Sequence, residues 1–149
     1  MELSGYIIRD VEAGDAGYIL DAWLKSYANS VWASGFRAGV FYPWHRALIR
    51  RALSESKTLV MCDEEDQDTI WGWMCAGPRK QTVHYAYVKS PFRRKGVAGK
   101  LAEAHGIDLS EPVTATHETY AIKFIKECAR RVSYNPYAFF IKESEELRV

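Results

Sequence analysis

A segment with four basic residues and two glycines, at positions 93–100, has the composition of an anion-binding turn. It reads Arg-Arg-Lys-Gly-Val-Ala-Gly-Lys, follows an apolar strand pattern and leads into a helical one. Small residues at such a junction let backbone N–H groups approach a ligand, and the positive end of the helix faces that ligand. Seven basic residues and no acidic residue lie between Arg79 and Lys100. The segment therefore predicts a phosphate site beside concentrated positive charge.

The spacing of this segment is neither that of a dinucleotide fingerprint nor that of a Walker loop, because one residue separates Gly96 from Ala98 and Arg93 stands three positions earlier. The string Arg93-x-x-Gly96-x-Ala98 resembles the [Q/R]xxGx[G/A] motif of the GNAT family of acyl-CoA N-acyltransferases. That resemblance implies acetyl-CoA as cosubstrate, with its pantetheine arm beside Tyr87 to Lys89. The residues expected to bind the cofactor are Val88, Lys89, Arg93, Arg94, Lys95, Gly96, Val97, Ala98, Gly99 and Lys100. The alternative is a tight strand–helix turn with a solvated basic face.

Transfer of an acyl group to an amine needs a base for the amine, a donor for the oxyanion and an acid for the thiolate, but no metal. The family's frequent strand carboxylate is absent, since residues 69–76 and 82–88 contain no Asp or Glu. The family's late-helix tyrosine falls on Ile125, unless Tyr120 or Tyr134 substitutes. We therefore expect catalysis by His117, Tyr87 and Tyr120. A histidine suits the base because its ordinary pKa lies near neutrality, and His117 is the first choice because the resemblance implies that the carboxyl end of the fifth strand faces the open cleft. A structural role is the competing interpretation for each.

The segment between Tyr27 and Trp44 carries six aromatic residues. The resemblance implies that this region shapes the acceptor site, and Phe36, Phe41, Tyr42 and His45 are the expected substrate-binding residues. We assign Trp23, Tyr27 and Trp44 to the core instead. The acceptor is a small-molecule amine or an exposed amine of a macromolecule.

Apolar periodicity predicts the element order βααβββαβαβ. The predicted strands cover 6–9, 58–62, 69–76, 82–88 and 111–115, with 132–134 and 137–142 forming a last hairpin or one strand. Helices are predicted after the N-cap Asp15, from Pro43 at the first helical position to about Ser56, from the basic turn to His105, and from Thr116 or Glu118. The fold class is a single mixed α/β domain over 1–149, GNAT-like, with a mostly antiparallel central sheet flanked by helices.

Composition limits the alternatives. The chain has 149 residues, 48% of them hydrophobic and 26% charged, and a net charge of +1. So balanced a charge disfavours tight nucleic-acid or membrane binding, although Arg37, Arg46, Arg50 and Arg51 leave modification of a nucleic acid or its bound protein as an alternative. Three cysteines without CxxC spacing and an N-terminus unlike a signal peptide favour a reducing compartment, and we expect a cytoplasmic protein.

Two further expectations remain open in the sequence. The missing strand carboxylate and late-helix tyrosine would also suit a GNAT-like binding module without catalysis. The aromatic strand expected at 137–142 could pair as an exposed edge with a second subunit, giving a homodimer.

Overall fold

The structure is a computed structural model, and it describes residues 3–119 and 132–139. Its strands are β1 (Tyr6–Asp10), β2 (Lys57–Asp63), β3 (Ile70–Ala76), β4 (Thr82–Val88), β5 (Val113–Ala115) and β6 (Val132–Tyr134). Its α-helices are α1 (Ala16–Ala28), α2 (Ala38–Glu55) and α3 (Val97–Ala104), with 3-10 turns at Ala13–Asp15, Ala33–Gly35, Ser90–Phe92 and Pro136–Phe139. No helix within the described ranges is long and apolar enough to cross a membrane.

The six strands form one sheet in the order β1-β2-β3-β4-β5-β6. The pairings from β1 to β4 are antiparallel, whereas β4 pairs with β5 and β5 with β6 in parallel. The predicted mixed α/β class is confirmed. The sheet is mixed rather than mostly antiparallel, because the last two strands run in the same direction as β4.

Alternating side chains along β2 and β3 divide the core between the two faces of the sheet. One face, here the aliphatic face, packs against α3, and the other, the aromatic face, packs against α1 and α2. The aliphatic face includes Leu59, Met61, Met74, Ala86, Val88, Val97, Ala98, Leu101 and Ala102. The aromatic face includes Ile19, Trp23, Tyr27, Phe41, Ile49, Val60, Trp73, Cys75 and Tyr85.

Helix α2 begins five residues before the predicted start at Pro43, which lies inside it. The amides of Val40 and Phe41 bond to the Arg37 carbonyl at 2.9 and 2.8 Å and close the first turn. Gly39 and Pro43 interrupt the apolar periodicity there, but Pro43 removes only one hydrogen bond near the helix start. The prediction of an irregular segment up to Val40 was therefore wrong over its last residues.

Asp15 does stand immediately before α1, but its carboxylate does not cap that helix. It accepts the amide of Glu12 at 2.8 Å and forms a two-pronged pair with Arg9, whose Nη1 lies 2.7 Å from Oδ2 and Nη2 3.2 Å from Oδ1. These bonds lower the pKa of Asp15. The pair therefore fixes the start of α1 against β1.

The chain after β5 also departs from the expectation. Residues 116–119 are bends and coil rather than the start of a helix, and Tyr120 and the rest of that predicted helix lie outside the described residues. β6 pairs with β5 in parallel, and Pro136–Phe139 is a 3-10 turn where the second strand of the predicted hairpin was to begin, so the described residues 137–139 form no hairpin with β6. Residues 140–142 of that prediction lie outside the described residues. The described part of 137–142 therefore offers no strand edge to a second subunit.

Candidate active site

The basic turn closes directly onto the start of α3. Gly96 occupies the N-cap position with φ 87°, in the left-handed region that glycine adopts without strain, and Arg94 also has a positive φ of 63°. Val97 and Ala98 are buried against the sheet. As in any α-helix, the first amides of α3 have no acceptor within the helix, so they present a row of donors where the turn ends.

Close packing of α3 on the sheet depends on Gly72 in β3. A Cβ atom on this residue would lie 2.8 Å from the Tyr87 carbonyl oxygen and 3.1 Å from Cγ1 of Val97. Only a residue without a side chain fits that space. Gly72 thereby sets the distance between β3, the last residues of β4 and the beginning of α3.

Strands β4 and β5 pair over a short length and then separate. The paired residues are Thr82 with Thr114 and Val83 with Ala115, and the Thr116 amide bonds to the Val83 carbonyl at 3.0 Å. The last five residues of β4 continue beyond this pairing. A gap of this kind exposes backbone groups of a central strand to a ligand.

A cavity of about 480 Å³ occupies this gap. We call it the gap cavity. Its walls come from β4, from the end of α1 and the residues after it, and from the segments that follow β5. They are Ser26, Tyr27, Asn29, Ser30, Val31, Trp32, Tyr85, Ala86, Tyr87, Val88, Arg93, Glu118, Thr119 and Tyr134.

Two of the ten predicted cofactor residues, Val88 and Arg93, line the gap cavity. Arg93 donates from Nε to the Val88 carbonyl at 2.8 Å, and its guanidinium lies 6.0 Å from the centre of the Tyr87 ring. The Nζ of Lys89 lies 5.2 Å from the centre of the Tyr18 ring. The other seven, Arg94, Lys95, Gly96, Val97, Ala98, Gly99 and Lys100, follow in the turn and in α3.

The basic residues from Arg79 to Lys100 do not form one cluster. Arg79 and Lys80 precede β4, whereas Lys89 and Arg93 follow it. Seven residues of extended strand separate the two groups by about 20 Å. The positive charge beside the turn comes from the later group alone, which corrects the expectation that all seven contribute.

Tyr87 is half-buried and lines the gap cavity, and its catalytic role remains a prediction. Tyr85 and Tyr87 share the aromatic face, and Ala86 and Val88 the other, as strand alternation predicts. Tyr85 is buried, stacks on Trp23 with ring centres 4.8 Å apart and hydrogen-bonds Ser26. Burial raises the pKa of Tyr85 to about 12, so its hydroxyl stays protonated.

His117 is 4% exposed and, among the described residues, belongs to neither cavity wall. Its ring instead packs edge-on against Tyr27 and Tyr85, at centre distances of 4.8 and 5.8 Å, and these two tyrosines separate it from the gap cavity. Burial lowers the pKa of His117 well below its ordinary value, with His45 and His84 adding to the effect. His117 as the base remains a prediction, and any direct contact with a substrate would require these rings to move.

The residues after β5 place two other groups in the gap cavity. Glu118 and Tyr134 line it together, and the phenol groups of Tyr27 and Tyr134 interact there. Burial raises the pKa of Tyr134, so the hydroxyl is protonated at neutral pH. A carboxylate and a phenol facing one cavity could serve as base and acid, respectively. Tyr134 was considered as a substitute acid because of its residue type, but β6 brings it here through a parallel pairing that the sequence pattern did not indicate.

Four side chains make a continuous polar chain behind these tyrosines. His45 Nε2 lies 3.2 Å from His117 Nε2, and His117 Nδ1 lies 3.0 Å from Thr116 Oγ1. Thr116 Oγ1 also lies 3.0 Å from His84 Nδ1, and His84 Nε2 bonds to the Gly77 carbonyl. His84 is the additional residue of a β-bulge, since Cys75 pairs with Tyr85 and Ala76 with Val83.

A second cavity, of about 410 Å³, lies on α2 and is here called the aromatic cavity. Its walls are Trp32, Phe36, Val40, Phe41, Trp44, His45, Ala47, Leu48 and Arg51. Three of the four predicted substrate-binding residues therefore line one cavity, while Tyr42 packs edge-on against Phe41 at 5.3 Å. Trp44 was expected in the core and is 76% exposed, because it lies on the outward side of α2.

Comparison with known proteins supports the fold. No protein-family model and no curated protein matches the chain. A crystal structure of a GCN5-related N-acetyltransferase from Rhodopseudomonas palustris matches with a TM-score of 0.50 at 17% identity, over 71% of this chain and 66% of that one. The solution structure of apo YjaB from Escherichia coli matches with a TM-score of 0.48 at 20% identity, over 66% of this chain and 63% of that one. The matched part thus spans slightly less than two thirds of each of these proteins.

The first of these structures confirms the predicted fold. A six-stranded mixed sheet, with α1 and α2 on one face and α3 on the other, is the fold of the GCN5-related N-acetyltransferases. At this identity the likeness concerns the fold, and the activity has to be argued from the residues of this chain.

Proposed function

We propose that this chain is an acyl-CoA-dependent N-acyltransferase that takes acetyl-CoA as its acyl donor and a small amine as its acceptor. The observation that carries the proposal is the gap between β4 and β5, which opens beside the turn at the start of α3. The gap supplies free strand backbone for an extended pantetheine arm, and the turn supplies helix amides for a pyrophosphate. The two features lie next to each other because Gly72 lets α3 approach β4.

The residues present fit this donor. Val88 and Arg93 form the wall where the gap meets the turn, with the Arg93 side chain fixed to the Val88 carbonyl. Lys95 and Lys100 are exposed beside it and provide charge for phosphate groups. When bound, acetyl-CoA would supply an activated acyl group as a thioester. The chain itself would orient the donor along β4 and offer Glu118 and Tyr134 for proton transfer at the acceptor side.

Calorimetry of acetyl-CoA binding tests the proposal with a matched pair of variants. Gly96 and Gly106 flank α3, both have positive φ (87° and 77°), and a Cβ at either meets nothing within 4 Å. Glutamate therefore introduces the same charge and the same backbone strain at the two ends of one helix. We expect Gly96→Glu to weaken acetyl-CoA binding at least about tenfold, from repulsion of phosphate, and Gly106→Glu to change it less than about twofold.

Thermal unfolding of both variants is measured alongside the titration. It checks that both variants are folded at the titration temperature, so that a loss of binding is not a loss of structure. No binding by the folded wild type, or equal weakening by the two substitutions, would remove the acyl-CoA assignment. The first outcome would favour a GNAT-like module without catalysis. Binding lost in Gly96→Glu alone justifies a screen of amine acceptors.

A further inference from the structure

The wall of the aromatic cavity is mostly aromatic and aliphatic, and His45 is the lining residue with an imidazole; the other side-chain nitrogens of the wall are those of Trp32, Trp44 and Arg51, which can only donate. His45 is 5% exposed and lies between the rings of Phe41 and Tyr27, at centre distances of 4.9 and 5.1 Å. Its Nε2 faces His117. Within residues 3–119 and 132–139, its Nδ1 has no hydrogen-bond partner. His45 lines this cavity, and an imidazole nitrogen without a partner there is a place where a ligand can complete a hydrogen bond.

The polar chain behind His45 determines which of its two nitrogens carries the proton. The Gly77 carbonyl can only accept, so Nε2 of neutral His84 is the donor and its Nδ1 the acceptor. The Thr116 hydroxyl has two acceptors within reach, His84 Nδ1 at 3.0 Å and the His84 carbonyl at 3.5 Å, and it donates to the nearer one, which leaves its oxygen to accept from Nδ1–H of His117. Nε2 of His117 is consequently an acceptor, and Nε2 of His45 is its donor. His45 Nδ1 therefore carries no proton.

The same chain keeps its three histidines neutral. Burial lowers the pKa of His84 and of His117, and it lowers the pKa of His45 to about 4. The titratable groups around His45 are Tyr27 from α1, His117 after β5 and Arg51 from α2, and none of them is an anion. The Arg51 guanidinium bonds the Glu55 carboxylate at 3.1 Å and stands in the cavity wall. A cationic ligand is therefore disfavoured there.

We infer that the aromatic cavity binds a flat, neutral aromatic group that donates one N–H hydrogen bond to His45 Nδ1, and that His84, Thr116 and His117 are positioning residues that keep this nitrogen an acceptor. Trp32 belongs to the walls of both cavities. A ligand in the aromatic cavity thus lies beside the gap cavity. As a statement about the acceptor, an aromatic amine, the inference rests on the proposed function, while the binding itself does not.

The test compares indole with 1-methylindole, which has nearly the same shape but no N–H. Binding is followed by ¹H–¹⁵N NMR titration without acyl-CoA, so its failure is separate from failure of the acyltransferase proposal. We expect indole to bind about fivefold more tightly, the effect of one neutral hydrogen bond. The ratio should hold from pH 6 to 8, since His45 stays neutral. Failure of both probes to bind, or equal affinities in the wild type, would overturn the inference.

Variants separate the hydrogen bond from the packing. His45→Phe should abolish the preference for indole while keeping the stacked ring. Trp44→Ala, at an exposed position of the wall, should weaken both probes alike. A preference that persists in folded His45→Phe would contradict the role of Nδ1.

The positioning role has its own pair of variants, which remains informative if His45→Phe does not fold. Thr116→Val removes the hydroxyl that links His84 to His117 at nearly constant shape, and Thr116→Ser retains it. Histidine ¹⁵N shifts should show unprotonated Nδ1 of His45 in the wild type and in Thr116→Ser, and a mixture of tautomers in Thr116→Val, with the indole preference reduced. An unchanged tautomer and preference in Thr116→Val, or protonated Nδ1 in the wild type, would refute the chain's role.

Discussion

The aliphatic and the aromatic faces of the sheet differ in their side chains and in the sequence separation of the elements that they bring together. On the aliphatic face, α3 packs against β3 and β4, elements that follow one another between residues 70 and 104. Its side chains are mostly aliphatic, with one aromatic group formed by Tyr6, Trp71 and Phe92. The aromatic face assembles parts distant in sequence, as in the contact of His45 with His117 across 72 residues. It also buries indole N–H groups of Trp23 and Trp73 for which the described residues offer no acceptor.

The difference shows where packing and chemistry reside in this fold. On the aliphatic face, the packing of α3 against the sheet positions the turn at the start of α3. The aromatic face carries buried polar groups that cost stability unless each has a partner. Such groups are tolerated where they serve a site, and residues of the aromatic face line both cavities.

Among the substitutions that test the difference between the two faces, Trp23→Ala should cause the largest loss of stability. Trp23 is fully buried, stacks on Tyr85 and packs edge-on against His117 at 5.4 Å. We expect the free energy of unfolding to fall by about 4 kcal/mol, from lost burial and the cavity left behind. Urea unfolding measures this loss.

Leu101→Ala is the matched variant on the aliphatic face, where Leu101 is also fully buried. We expect a loss of about 3 kcal/mol. Only Trp23→Ala should also admit water to His117 and move its pKa back towards the ordinary value. A shift of the His117 titration in Leu101→Ala as well would mean that the two faces are coupled rather than separate.

These two faces also differ in how far the sequence predicted them. Strand, glycine turn and helix from Thr82 to Ala104 were recognisable because their signals are local: apolar alternation, then Gly96 and a helical stripe. The polar chain was not recognisable, because a bulge in β4 turns His84 towards Thr116 and because α2 and β5 meet only in three dimensions. His117 and His45 were each predicted as site residues because of their chemistry. The contact between them was not predicted. Pro43 misled because helix α2 starts earlier than its apolar pattern, and Trp44 misled because an aromatic residue lies on the outward side of that helix.

Acidification should destabilise the protein through the buried histidines beside the aromatic face. We expect the free energy of unfolding to fall by at least about 2 kcal/mol. Burial holds the pKa of His45 near 4, and it lowers the pKa of His84 and His117 too. Below about pH 6.5 the unfolded chain takes up protons that the folded chain does not, so stability falls as pH decreases. For His45 alone, 1.5 pH units at about 1.4 kcal/mol each give the expected loss between pH 6.5 and 5.

Urea unfolding at a series of pH values measures this dependence. His45→Phe should flatten the curve between pH 6.5 and 5 more than His105→Phe does. His105 lies at the end of α3 and is only half-buried, although burial lowers its pKa as well. A stability that is constant over this pH range in the wild type would show that the buried histidines are already charged or open to water.

The smallest expected effect concerns the close approach on the aliphatic face. Gly72→Ala should lower the free energy of unfolding by about 1.5 kcal/mol, because the new Cβ atom would lie 2.8 Å from the Tyr87 carbonyl oxygen and must displace backbone. Gly17→Ala, in α1 on the other side of the sheet, meets nothing within 4 Å and should instead stabilise by about 0.5 kcal/mol. Chemical unfolding measures the free energy of unfolding of both variants, which should decrease in Gly72→Ala and increase in Gly17→Ala.

In Gly72→Ala the new Cβ atom would displace the Tyr87 carbonyl oxygen and Cγ1 of Val97. Both atoms lie where the gap between β4 and β5 meets the turn before α3. Acetyl-CoA binding should therefore weaken in Gly72→Ala and stay unchanged in Gly17→Ala. If Gly72→Ala lost stability but bound acetyl-CoA as the wild type does, the distance between α3 and β4 would matter for packing alone. The aliphatic face would then support the fold without setting the geometry of the site, and the cofactor contacts would have to be sought further along the turn.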